Sequence, residues 1–275
     1  MHHPSRHWSC CGKPAVCAAG APSECGAQDE RVLARNLLPL SVQPFGHLPE
    51  FALGRIIGRT AQELERPIRA ALLPGSRGTV FPAFLFAGRD AGSSECQARF
   101  NNAIDAGATT LTGYGCNVIK TKFSSLANDA TRISTVQSNA NGRQVILFTG
   151  HGNVNNWDCF SGGNVPGLAF DNVNLPLFVG FTCLSGQYGG SSSIARACLT
   201  KQGTRGFLGA VQVSAVSINS SVTSSEFWPY FRSVGRQSGG VGLYWLQRTR
   251  GLAWNSINMY NKLWVWEYNY YGDPW

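Results

Sequence analysis

The chain has 275 residues, 43% of them hydrophobic, with 32 glycines and a formal net charge of +8. That length and apolar content supply a proper core for one large or two small domains, and no apolar run reaches the roughly 18 residues that a membrane-spanning helix needs. The basic residues are scattered, without the basic and aromatic stripe of a nucleic-acid surface, so a solvated basic surface explains the charge and no nucleic-acid partner is expected.

Residues 1–48 differ from the rest. Cys10, Cys11, Cys17 and Cys25 lie among Pro, Gly, Ala and His with no hydrophobic period, which reads as a low-order leader or a mis-assigned start. The stretch lacks a Cys-x-x-Cys pair that would support zinc. Its apolar segment at 15–21 is short and broken by Gly, so a normal signal peptide is not visible.

From residue 49 the pattern is βαβα, a second unit covering 49–275. A strand is expected at 51–57. Thr60 and Glu63 form a capping box opening a helix to about residue 73, with a kink expected at Pro67. A strand at 81–87 ends in the loop 88–96, followed by a helix at 98–106. A short strand at 116–121 and a polar crossover at 124–138 come next. Two short runs then stop at chemically loaded residues: 144–150 runs into His151 and Gly152, and 175–182 runs into Cys183. Both are rich in Val, Ile, Leu and Phe without polar alternation, as strands of a parallel sheet covered on both faces are. After Cys183 a helix containing Ile194, Ala197, Cys198 and Leu199 leads to a strand at 207–216. Helices with aromatic spacing are expected at 227–235 and 240–262.

In an open parallel sheet, ligands bind beyond the carboxyl ends of the strands. A His and a Cys at two such ends are the parts of a thiol acyl-transfer site: Cys183 as nucleophile, His151 as acid and base, and the N–H groups of Gly152 and Cys183 as oxyanion donors. Taken singly, a strand-end Cys is usually a small hydrophobe and a single His a satisfied residue; the matched positions carry the functional reading. Nine cysteines are an odd number, so at least one thiol stays free.

The neighbouring residues resemble a family. The stretch from Thr149 to Trp157, with Gly-His-Gly and then Trp, resembles the His loop of the gingipain-like cysteine peptidases, and the stretch from Phe181 to Tyr188 resembles their nucleophile segment. Gly54-Arg-Ile56 with the helix after it, the strand and Ser-rich segment from Gly209 to Ser221, and the closing Gly272-Asp-Pro274 complete five motifs in order over residues 49–275. The resemblance implies a caspase-like α/β fold: a three-layer sandwich with a mostly parallel central sheet and helices on both faces. It also implies a monomeric, bacterial, secreted or cell-surface cysteine endopeptidase acting on protein or peptide substrates, with a preference for a basic residue before the scissile bond. No cofactor is required, and structural calcium is left open.

In the family, the loop corresponding to 90–95 carries one acid near the His and another that selects basic residues. Asp90 is nearest the former and Glu95 the latter, with Asp158 and Asp171 as competitors. Trp157 and Val222 are read with these acids as substrate-binding or His-orienting residues, Val222 standing at the wall of the specificity pocket where gingipain-like sequences often have Trp. No counterpart is found for the family's strand with a Gly-Asp turn ahead of Gly54. A sortase-like transpeptidase of the same fold, and a silent module that binds partners or a propeptide, are the alternatives to an endopeptidase.

Overall fold

A computed structural model of the chain describes residues 52, 54–72, 80–170, 175–201, 204–232, 239–253 and 255–272. The reading of residues 1–48, the start of the strand at 51, Asp171, the end of the helix at 233–235 and the Asp-Pro of the closing motif lie outside the described residues.

Helix α1 (Ala61–Leu72) is followed by β1 (Pro82–Ala87), α2 (Ser94–Gly113), β2 (Asn117–Lys122), α3 (Asp129–Asn139) and β3 (Val145–Thr149). A small hairpin, β4 (Asn156–Trp157) with β5 (Phe160–Ser161), precedes β6 (Leu177–Phe181), α4 (Ile194–Thr200) and β7 (Gly206–Ala210). Helix α5 (Val216–Ser221) then runs through a π-helical turn, Val222–Glu226, into α6 (Phe227–Arg232); α7 (Gly239–Leu252), α8 (Met259–Glu267) and β8 (Tyr268–Gly272) close the chain. Among the described residues, six strands form one sheet in the order β2-β1-β3-β6-β7-β8, parallel except for the antiparallel β7–β8 pair. Helices cover both faces, giving the three-layer, mostly parallel architecture expected from the sequence. None of the described helices is long and apolar enough to cross a membrane.

The apolar runs have no polar alternation because each strand buries both sets of side chains. On one face Ala83, Leu85, Val145, Leu147, Val179, Phe181 and Leu208 join α2 and the carboxyl-terminal helices; on the other, Phe84, Phe86, Ile146, Phe148, Phe178 and Phe207 join Trp157, Phe160 and residues of α3 and α4. Along this second face the register places Phe86, Phe148, Gly180 and Gly209 in one row. Gly180 leaves a gap, and the Trp157 indole fills it, stacked on Phe148 at 5.5 Å and on Phe207 at 5.6 Å between ring centroids.

Four elements differ from the sequence reading. Among the described residues of the strand expected at 51–57 there is one bridge, Arg55 with Tyr271. Helix α2 runs to Gly113 rather than ending near 106, because Gly107 admits the close approach of the Thr223 carbonyl rather than stopping the helix. The strand expected to reach residue 216 ends at Ala210, where the chain leaves the sheet: the Val211 N–H donates to the Glu267 carbonyl at 2.6 Å, and the Gln212 carbonyl accepts from Leu184 N–H at 2.9 Å. The helix expected at 240–262 is two helices, with Asn258 capping the second through the N–H of Asn261. Helix α1 begins as expected, Thr60 Oγ1 accepting from Glu63 N–H at 3.2 Å, but the Glu63 carboxylate accepts from Arg59 N–H at 2.8 Å, and the helix continues through position 67 to Leu72.

A Cβ at residue 180 would stand 2.8 Å from both Trp157 Nε1 and Ser185 Oγ. Gly180→Ala is therefore expected to overpack the row and cost about 1–3 kcal/mol, read as a lower urea midpoint with an unchanged slope.

Candidate active site

Strands β3 and β6 are parallel neighbours with Thr149 opposite Phe181. His151 and Cys183 each lie two residues beyond that pair, so the topology puts them side by side at the carboxyl edge of the sheet. One hydrogen bond ties the two exits directly: Thr182 Oγ1 donates to the Gly150 carbonyl at 2.7 Å. Gly152 lies against the same threonine, where a Cβ would stand 2.5 Å from its Oγ1. The absence of a side chain there lets the backbone approach closely.

The loop after His151 is folded back by an antiparallel bridge between Gly152 and Trp157. Asn153 N–H donates to the Asn156 carbonyl and Asp158 N–H to the His151 carbonyl, both at 3.0 Å. Trp157 is fully buried. Burial removes the substrate-binding half of the reading of Trp157 and fits the His-orienting half: its indole anchors the His loop in the core, seated in the gap that Gly180 leaves.

Beyond β1, the loop 88–93 comes to meet His151. The Arg89 guanidinium donates to Asp158 Oδ1 at 2.8 Å, and the Arg89 N–H to Asp158 Oδ2 at 2.7 Å, clamping this loop to the His loop. Asp158 is thus engaged by Arg89, with a left-handed backbone at φ 53°. The next residue, Asp90, has Oδ2 2.9 Å from His151 Nε2. Its Oδ1 accepts from the N–H groups of Gly92 at 2.8 Å and Ser93 at 2.9 Å, and its own N–H donates to Gln97 Oε1 at 2.8 Å. An imidazole donating from Nε2 keeps Nδ1 as its basic nitrogen. Phe100 of α2 packs edge-on against the ring at 5.2 Å, limiting its swing. Burial pushes the Asp90 carboxyl up, but the hydrogen bond from His151 and those from Gly92 and Ser93 outweigh it, and the net direction is below the ordinary carboxylate value.

The structure separates the two acids of this loop. Asp90 bonds His151, whereas Glu95 sits in the first turn of α2 with its side chain 48% exposed and paired to Arg99 at 2.9 Å. Val222 is a further correction. Read as a wall of the substrate pocket, it is fully enclosed in the core, because the π-helical turn that carries it is packed onto α2.

Cys183 is 2% exposed. Its sulfur is bracketed by the main chain of Ser214, whose N–H donates to Sγ at 3.3 Å and whose carbonyl accepts from it at 3.5 Å. The following residue, Leu184, has φ 57°, a left-handed conformation that turns the chain sharply at the strand exit. Of the other cysteines described as free, Cys198 is buried on the core side of α4 and Cys159 is pushed up to about 11 by burial and the nearby Asp158. Among the described residues no group of three or more His, Cys, Asp or Glu side chains is placed to hold a metal ion.

Sequence reasoning did not single out Arg89, Gln97, Thr182, Ser214 or Glu267. Gln97 carried one signal, a polar residue one helical turn before Asn101, to which it donates at 3.2 Å. Glu267 carried another, as a lone acid among Trp264, Val265, Trp266 and Tyr268.

The Asp90 arrangement makes a pH prediction. A carboxyl depressed in the fold stabilises it at pH values above the unfolded Asp value of about 3.9, and that stability is lost as pH falls through the folded value. Thermal melts from neutral pH down to about 2.5 are expected to fall more steeply for the parent than for Asp90→Asn.

The model of peptidase family C25 matches residues 31–275. No curated protein matches the chain. Among solved structures, the Arg specific cysteine proteinase gingipain R is similar, with a TM-score of 0.63 and 18% identity, over 83% of this chain and 55% of that one. This chain therefore spans a little over half the length of that relative, and the likeness confirms the caspase-like fold. With the match covering residues 31–275 and so the whole described region, the chain belongs to peptidase family C25, the gingipain family.

Proposed function

We propose that this protein is a cysteine endopeptidase working through Cys183 and His151 and an acyl-enzyme intermediate. The observation that carries the reading is the Asp90–His151 hydrogen bond of 2.9 Å at the strand end next to Cys183, which orients an imidazole at the place where a thiol nucleophile lies. Membership of family C25 supports the same class of chemistry.

His151 Nδ1 takes the Cys183 thiol proton, and the sulfur attacks the peptide carbonyl carbon to form a C–S bond. The oxyanion is received by the N–H groups of Gly152 and Cys183. His151 returns the proton to the leaving amine as the C–N bond breaks, and then deprotonates a water that attacks the thioester and releases Cys183. Asp90 holds the ring through Nε2 and stabilises the imidazolium formed at each proton transfer. Protein or peptide substrates and a secreted or cell-surface location are proposed with this reading.

Cys183→Ala is expected to abolish both turnover and covalent labelling by peptidyl electrophiles; labelling that persists would move the nucleophile elsewhere. His151→Ala should slow acylation by about two to four orders of magnitude with the fold retained, as judged by circular dichroism.

For specificity we propose a shallow preference for Arg or Lys before the scissile bond. The similar gingipain R is described as Arg specific, but in this chain Glu95 is engaged by Arg99 and Asp90 by His151 and two N–H groups. A carboxylate dedicated to the substrate cation is worth about 1.5–3 kcal/mol, so a preference below about tenfold is expected here. Turnover of a substrate set varied only at that position measures it, and equal or better cleavage after Leu or Ala would rule the basic preference out.

A further inference from the structure

Behind the nucleophile lies a sealed polar cluster that the proposed reaction does not use. Ser214 Oγ contacts Asn219 Oδ1 at 3.0 Å, the Tyr268 hydroxyl at 3.2 Å and the Glu267 carboxyl. Asn219 Oδ1 also accepts from Trp264 Nε1 at 3.1 Å and from the Tyr268 hydroxyl at 2.7 Å. Ser214, Asn219, Glu267 and Tyr268 are all buried. The main chain of the same Ser214 brackets the Cys183 sulfur.

Proton bookkeeping sets the state of Glu267. Ser214 has one hydroxyl proton and two acceptors facing it, Asn219 Oδ1 and the Glu267 carboxyl. With an ionised Glu267, one of those contacts sets two oxygens against each other with no proton between them. A neutral Glu267 donates to Ser214 Oγ and leaves the serine proton for Asn219, so both contacts become hydrogen bonds.

We propose that Glu267, as a neutral acid donating to Ser214, is a positioning residue for Cys183: it fixes the Ser214 main chain that holds the sulfur. Burial acts in the same direction, pushing the Glu267 carboxyl up to about 8 against the lowering effect of the Ser214 hydroxyl. The titratable and charged groups around the cluster are Cys183, the Tyr268 phenol, which burial pushes well up, and Arg250 of α7, which lies 4.6 Å from the Trp264 ring centroid and pairs with Glu226 at 2.6 Å. Arg250 is thus already matched to a carboxylate, and no cation described here faces Glu267. When Glu267 loses its proton, Ser214 must turn its hydroxyl to the new anion, the bracket on Cys183 is disturbed, and a negative charge beside the site disfavours the thiolate.

The inference rests on Cys183 being the nucleophile for its bearing on turnover, but its test reads the thiol directly. The rate of alkylation of Cys183 by iodoacetamide, located by peptide mass, is measured against pH in the parent, Glu267→Gln and Glu267→Leu. Gln retains a neutral donor to Ser214 and cannot ionise. The parent rate is expected to flatten or fall above about pH 8, while Glu267→Gln matches the parent below neutrality and keeps rising. Glu267→Leu should label about tenfold more slowly throughout, with Gln as the rescuing substitution. Superimposable parent and Gln profiles would overturn the proposal, as would a folded Leu variant labelling at the parent rate; if Leu fails to fold, the parent and Gln comparison alone decides. Failure of the nucleophile assignment shows separately, as peptidase turnover surviving in Cys183→Ala.

Discussion

The site depends on one apolar contact, the Trp157 indole seated over Gly180 and stacked between Phe148 and Phe207. His151 stands on a loop, and loops are ordinarily the mobile parts of a fold. Here the loop leaves β3 at Thr149 and is returned to the core eight residues later by the largest side chain available. The ion pair between Arg89 and Asp158 works on the same loop but is partly exposed, and such pairs contribute on the order of 1 kcal/mol or less. A fully buried Trp contributes about 3–5 kcal/mol when judged by truncation. The indole therefore holds the loop in place, and the ion pair selects which neighbouring loop it meets.

That meeting brings Asp90 to His151. The carboxylate is fixed from three sides, by the imidazole, by two backbone N–H groups, and through its own backbone by Gln97. A ring held at Nε2 and packed against Phe100 has its orientation set from two directions. The precision of His151 comes from its supporting residues rather than from its own loop.

Two carboxyl groups flank the site in opposite environments. Asp90 receives several donors and sits below its ordinary value; Glu267 is buried with the Ser214 hydroxyl as its neighbour and is pushed up to about 8. Environments that drive paired acids apart assign them different protonation states at one pH. Asp90 faces His151, and Glu267 lies behind Cys183 across Ser214.

The strands carrying His151 and Cys183 were legible because buried parallel strands read as unbroken apolar runs, and because Gly-His-Gly and the segment after Cys183 resemble a family whose motifs recur here in order. Asp90 was legible through the family resemblance as the acid near the His, with Asp158 and Asp171 as competitors. That Glu95 turns instead to Arg99 required coordinates, since five positions along a loop and helix start decide between facing a histidine and facing solvent. Trp157 was visible in the sequence as a substrate-binding or His-orienting residue, and the choice between the two depends on Gly180 falling beside Phe148 across β3 and β6, a coincidence of register that no local pattern encodes. Ser214 and Glu267 were hidden for the same reason. Fifty-three residues separate them in the chain, and the early exit of β7 from the sheet brings them together behind Cys183. Periodicity and local motif thus determined the strands and the placement of His151 and Cys183 at two of their ends. Register and the path of the chain between elements, which depend on packing across the whole sheet, decided which groups hold those side chains in place.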